Sequence, residues 1–154
     1  MYKKQLTKEQ ALQKLRHYCG YQERCHAEVK TKLYELGVRK VDHDEILATL
    51  IEQDYLNEER FAIAFAGGKF RMKQWGRVKI KYELKQKQVG EYSIKKALKQ
   101  IDESTYKQTL HNLYEEKWDS LKNEKNRFTK QAKTRDYLLQ KGYESEMIMA
   151  LLND

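Results

Sequence analysis

Three leucines hold the same place in a unit that recurs at intervals of about fifty residues: Leu33, Leu84 and Leu138. Four residues after them stand Gly37, Gln88 and Gly142, and fourteen residues after them stand Leu47, Leu98 and Leu152. Ala11 and Ala62 also correspond. Apolar positions in register at this period mark a helical repeat, in which no unit buries its apolar face alone. The competing explanation is a single irregular bundle whose leucines are spaced by chance. Composition favours helix in either case. The chain has no proline and only seven glycines, the residues on which tight β-turns depend. Glu, Lys, Leu, Gln and Arg dominate, and all favour helix. The expectation is an all-α chain of three tandem three-helix repeats, at residues 1–53, 54–101 and 102–154. With 40% apolar and 35% charged residues in 154, the core must be thin and the molecule elongated rather than spherical.

Helix starts and stops can be read in order. Thr7 and Gln10 form a capping box that opens a helix to about Cys19, where Gly20 interrupts. A second helix runs from about Gln22 to Leu36, with Gly37 as its stop. Asp42 and Glu45 form another box, for a short helix ending near Gln53. Asn57 is an N-cap followed by Glu58 and Glu59 at the positive end of a helix reaching about Met72. Gly76 opens a helix to about Gln88, and Ser93 lies within a short one ending near Ile101. Three more are predicted over 103–123, 126–141 and 145–152, with Gly142 stopping the second of them.

The net charge of +8 is shared unequally. The three units carry 10 basic and 8 acidic, 12 and 5, and 9 and 10 residues respectively. The excess lies between Lys69 and Lys99. Arg71, Lys73, Arg77, Lys79, Lys81, Lys85 and Lys87 all fall there, and Arg77, Lys81 and Lys85 are spaced to share one helical face. Such a stripe can track phosphates by neutralising backbone charge, or it can be a solvated helix face. Trp75 and Tyr82 are aromatic where the other units have Arg24 and Thr129, and Thr31 and Asp136. Either ring can stack on a base or fill a partner's pocket, and Trp75 can equally cover a helix junction.

Signs of catalysis are missing. There is no G-x-x-x-x-G-K-[ST], G-x-S-x-G or H-E-x-x-H pattern, and Gly67–Gly68 falls inside a predicted helix. His17, Cys19, Cys25 and His26 do not match zinc-ligand spacings, and Cys19 aligns with Phe70 as a core position. The expectation is a binding protein, not an enzyme, with no metal or cofactor. MYKKQLTKEQ lacks the apolar core of a secretion signal. No apolar run approaches the roughly 18 residues of a membrane span. Two cysteines fit a reducing cytoplasm.

The stretch from Asp54 to Val89 resembles the signature of RecX proteins, bacterial regulators of the RecA recombinase. Tyr55, Leu56, Arg60, Phe61 and Ala62 carry its first part, and Gly76, Ile80, Leu84 and Val89 its second. Arg24, Glu28, Lys32, Leu33 and Gly37 match an earlier family segment. Asp54 and Gln88 stand where glycine is common, Asn57 where an acid is, and Cys25 where serine is. Gly67 and Gly68 stand where longer side chains are common. The resemblance implies an elongated, curved, all-helical monomer that binds the RecA–DNA filament and limits its assembly, strand exchange and coprotease activity. It places the chain in DNA repair and the SOS response. It also implies contact with single- and double-stranded DNA that is weak and salt-dependent, and no membrane. Residues put forward for nucleic-acid or filament contact are Arg71, Lys73, Trp75, Arg77, Lys79, Lys81, Tyr82 and Lys85. The alternative is a helical-repeat nucleic-acid-binding protein without a RecA role.

Overall fold

The computed structural model of the chain describes residues 6–153, and helix is the only regular structure among them. The elements are α1 (Lys8–Tyr21), α2 (His26–Glu35), α3 (Lys40–Glu52), α4 (Glu58–Lys73), α5 (Arg77–Gln86), α6 (Glu91–Lys99), α7 (Glu103–Ser120), α8 (Arg127–Lys141) and α9 (Ser145–Leu152). They form three-helix repeats. By backbone packing the chain divides into two units. Of the described residues, one holds those up to Ala64 together with Leu84–Lys96, and the other holds Phe65–Glu83 and those from Ala97 onward.

Local signals set most helix ends. The Thr7 hydroxyl accepts from Gln10 N–H at 3.1 Å, and Thr7 N–H donates to the Gln10 side chain at 3.0 Å, closing the capping box. Asn57 Oδ1 accepts from Arg60 N–H at 2.9 Å at the start of α4. Three expectations fail. Helix α2 begins at His26 rather than near Gln22, because Gln22 closes α1 in an extended conformation and Cys25, also extended, is the N-cap of α2. Helix α1 continues through Gly20 to Tyr21. A single helical glycine costs only about 1 kcal/mol, and Leu15 and Cys19 are anchored in the core just before it. Asp42 does not cap α3, whose N-cap is Arg39; its carboxylate instead lies 3.5 Å from Arg39 and 3.9 Å from Lys8.

The leucine register has a physical basis at the end of each second helix. Gly37, Gln88 and Gly142 all take the left-handed conformation, with φ of 72°, 63° and 100°. The residue after each donates back to the register leucine: Val38 N–H to Leu33 O at 3.0 Å, Val89 to Leu84 at 3.1 Å, and Tyr143 to Leu138 at 3.2 Å. These are Schellman closures, completed by the buried side chain that follows the left-handed residue. Gln88 and Asp54 (φ 63°) adopt this conformation without being glycine, at about 1 kcal/mol each.

In the first unit, Ala11, Leu15 and Cys19 of α1 pack with Val29 and Leu33 of α2 and Ile46, Leu47 and Leu50 of α3. In the second, Phe70, Tyr106 and Tyr143 pack as tilted rings with centroids 5.8 and 5.1 Å apart. Leu33, Leu84 and Leu138 are each 0% exposed. Replacing any one by Ala is expected to cost about 2–5 kcal/mol in denaturant melts. Three losses below about 0.5 kcal/mol would refute the equivalence of these positions.

Candidate nucleic-acid interface

The basic segment begins in the last turns of α4. Arg71 and Lys73 sit in the final turn, where cations meet the negative end of the helix dipole, and both are exposed. The Arg71 guanidinium folds back over Gly67: a Cβ at Gly67 would stand 2.8 Å from Nη1. The small residue at 67 therefore seats the arginine. Beyond α4, Gln74 turns the chain with φ 57° and delivers Trp75 half-buried beside Phe65, at 6.4 Å between ring centroids. Lys69 Nζ lies 5.0 Å and Lys79 Nζ 4.6 Å from the Trp75 ring. Trp75 thus does cover a helix junction, and it also gathers two ammonium groups around one aromatic ring.

On α5, Lys81 and Tyr82 are exposed, Tyr82 at 60%. Lys85 is exposed too, but it belongs to the other packing unit and stands 3.7 Å from Glu91. Arg77 departs from the expectation of a free basic stripe. Its Nε donates to Glu144 at 2.7 Å and its Nη1 to Glu103 at 2.8 Å. Its guanidinium carbon lies 3.9 Å above the Tyr106 ring, and its backbone N–H donates to the Tyr106 hydroxyl at 2.9 Å. That hydroxyl donates in turn to Glu144. Burial first, then this hydrogen bond, pushes the Tyr106 phenol far above its ordinary pKa, so it stays a donor. Two carboxylates already neutralise Arg77, which leaves little for a phosphate. The reason lies in helix geometry. A four-residue step advances about 40° around an α-helix, so the stripe drifts from the edge of the core at Arg77 outward to Lys81.

The arrangement collects Lys69, Arg71, Lys73, Lys79 and Lys81 with Trp75 and Tyr82 in residues 65–83. Phe65 was not among the sequence candidates, and Lys69 stood there only as the edge of the basic excess; the aromatic–cation spacing of Phe65, Lys69 and Trp75 was the signal available for them. The loop is welded from behind. Gly76 N–H donates to Lys141 O at 2.8 Å, Val78 N–H to Gly142 O at 2.9 Å, Tyr143 Oη to Gln74 O at 2.9 Å and Lys141 Nζ to Lys73 O at 3.1 Å.

These features define a helical-repeat protein that presents a basic, aromatic surface on two helix ends joined by a hydrogen-bonded loop. The family model for the second three-helix domain of RecX matches residues 57–98, and that for the third matches residues 104–152. The chain belongs to the RecX family. The regulatory protein RecX of Thermotoga maritima is 30% identical over 86% of this chain and 76% of its own length. That of Clostridium tetani is 32% identical over 82% of this chain and 58% of its own length. The chain thus spans little more than half of such clostridial relatives. The crystal structure of RecX from Lactobacillus salivarius shares the fold, with a TM-score of 0.84 at 23% identity over 95% of this chain and 94% of that one.

Proposed function

We propose that this protein regulates the RecA recombinase by binding the RecA–DNA filament and limiting its assembly, recombination and coprotease activity. Family membership supports the partner. The observation that carries the mode of contact is the cluster of exposed or aromatic-stacked cations from Lys69 to Lys81, on the facing ends of α4 and α5 whose connecting loop is fixed by hydrogen bonds. Lysines held apart from carboxylates neutralise phosphates and release counterions, so the contact is salt-dependent. A regulator that touches neighbouring filament subunits changes the free energy of adding or losing one.

Fluorescence anisotropy across a salt series tests this contact. Reversing Lys73 and Lys81 together to Glu is expected to weaken binding to DNA or to the RecA–DNA filament at least about tenfold. The salt slope should fall by roughly one unit per lost phosphate contact. Helix content should not change, since both side chains are exposed and Lys and Glu have similar propensities. No loss would mean a solvated helix face. Equal loss from reversing Lys122 and Lys125 would mean diffuse charge rather than a site. Binding to bare DNA with no response to RecA would favour a nucleic-acid-binding protein without a RecA role.

A further inference from the structure

We infer that the first repeat carries its own single-stranded nucleic-acid subsite, in the groove of α1 and α2. This rests on the reading of the protein as a nucleic-acid or filament binder and locates a second contact that net charge conceals. The groove encloses about 630 Å³, and among the described residues no carboxylate lines it; its walls include Lys14, His17, Tyr18, Tyr21, Arg24 and Lys32.

Arg24 is the central group. Its guanidinium carbon lies 3.7 Å from the Tyr18 ring centroid, and its Nε donates to Tyr18 O at 3.1 Å. Stacking and one hydrogen bond therefore fix the fork. Two other half-buried arginines are each held by two carboxylates: Arg60 by Glu23 and Asp54, and Arg77 by Glu103 and Glu144. Among the described residues Arg24 has no carboxylate within ion-pair distance. A pre-oriented guanidinium with its terminal nitrogens unspent is suited to bidentate contact with a phosphate. Lys32 Nζ stands 5.4 Å from the same Tyr18 ring and only loosely meets Glu35, at 3.9 Å.

The groove also offers a ring. Tyr21 is 79% exposed at the end of α1, where a base can stack on it. The register supports a shared role. Tyr18 and Lys69 stand fifteen residues before their register leucines, and Arg24 and Trp75 nine residues before. Repeat one thus pairs a ring with a later cation, and repeat two a cation with a later ring: the same aromatic–cation contact with its partners exchanged. A ring beside free cations suits a single strand, whose bases are open to stacking, better than a duplex.

The test is anisotropy of the full-length protein with fluorescein-labelled oligothymidylate and with a hairpin duplex, for Tyr21→Ala, Arg24→Gln and the Lys73/Lys81→Glu double variant, with circular dichroism as the folding check. Tyr21→Ala removes an exposed side chain and leaves the core intact. It is expected to weaken oligothymidylate binding by about fivefold or more and duplex binding by less than about twofold. Arg24→Gln is expected to weaken the single strand about tenfold. No effect of Tyr21→Ala on the single strand, or an equal effect on the duplex, would overturn the assignment. If the lysine reversal weakens binding while the groove variants do not, the groove assignment alone fails.

Discussion

Gly76→Ala is expected to lower stability by about 3 kcal/mol or more, and to do so through the second packing unit. A Cβ at this position would overlap the Gly142 carbonyl and stand 2.6 Å from Tyr143 N. The obstructing atoms are backbone, and they belong to the turn that closes α8. That turn cannot retreat without losing the Gly76–Lys141 and Val78–Gly142 hydrogen bonds and uncovering Tyr143, which is 1% exposed. Gly142 is constrained from the other side, with φ 100° and a Cβ position 2.8 Å from Lys79 N. Gly20→Ala is the control. It lies within α1 with nothing within 4 Å of the added atom, so it should be neutral or slightly stabilising. Equal melting behaviour of the two variants would show that the loop contact is not rigid.

Arg77→Glu is the second large effect. It would set a third carboxylate beside Glu103 and Glu144, which now receive the guanidinium at 2.8 and 2.7 Å. Breaking a buried pair costs about 3–5 kcal/mol; because these groups are partly exposed, about 3 kcal/mol is expected, with loss of packed structure around Tyr106. Lys81→Glu, four residues on, should change stability by no more than about 0.5 kcal/mol. Thermal melts with near-ultraviolet circular dichroism separate the two. A destabilisation of Lys81→Glu as large as that of Arg77→Glu would contradict the contrast drawn between neutralised arginine and exposed lysine. Any loss of DNA binding in Arg77→Glu would reflect folding first.

What was legible in the sequence was what short-range chemistry controls. Thr7 with Gln10 and Asn57 announce helix starts because a side-chain oxygen must satisfy an N–H three residues on. Leu33, Leu84 and Leu138 announce the repeat because each sits at the same point of a Schellman closure. Gly20 and Asp42 misled for the converse reason: each is a local signal outweighed by its neighbours' packing or ion pairs. The candidate site was half legible. The concentration of cations in the middle of the chain follows from counting, and Trp75 and Tyr82 stand out by register. That Arg77 is occupied by Glu144, and that Gly76 meets Gly142, depends on residues more than sixty positions away. No periodicity carries that information. Arg24 was hidden differently: its unit is nearly neutral in total, and only the contacts of each arginine show which one lacks an acid.

The most direct measurement of the central claim is the DNA-dependent ATPase of the cognate RecA, followed by a coupled assay while this protein is titrated in. The account predicts slowing at substoichiometric or near-stoichiometric ratios and a weaker effect from the Lys73/Lys81→Glu variant at equal concentration. An unchanged rate at several-fold excess over RecA would contradict it.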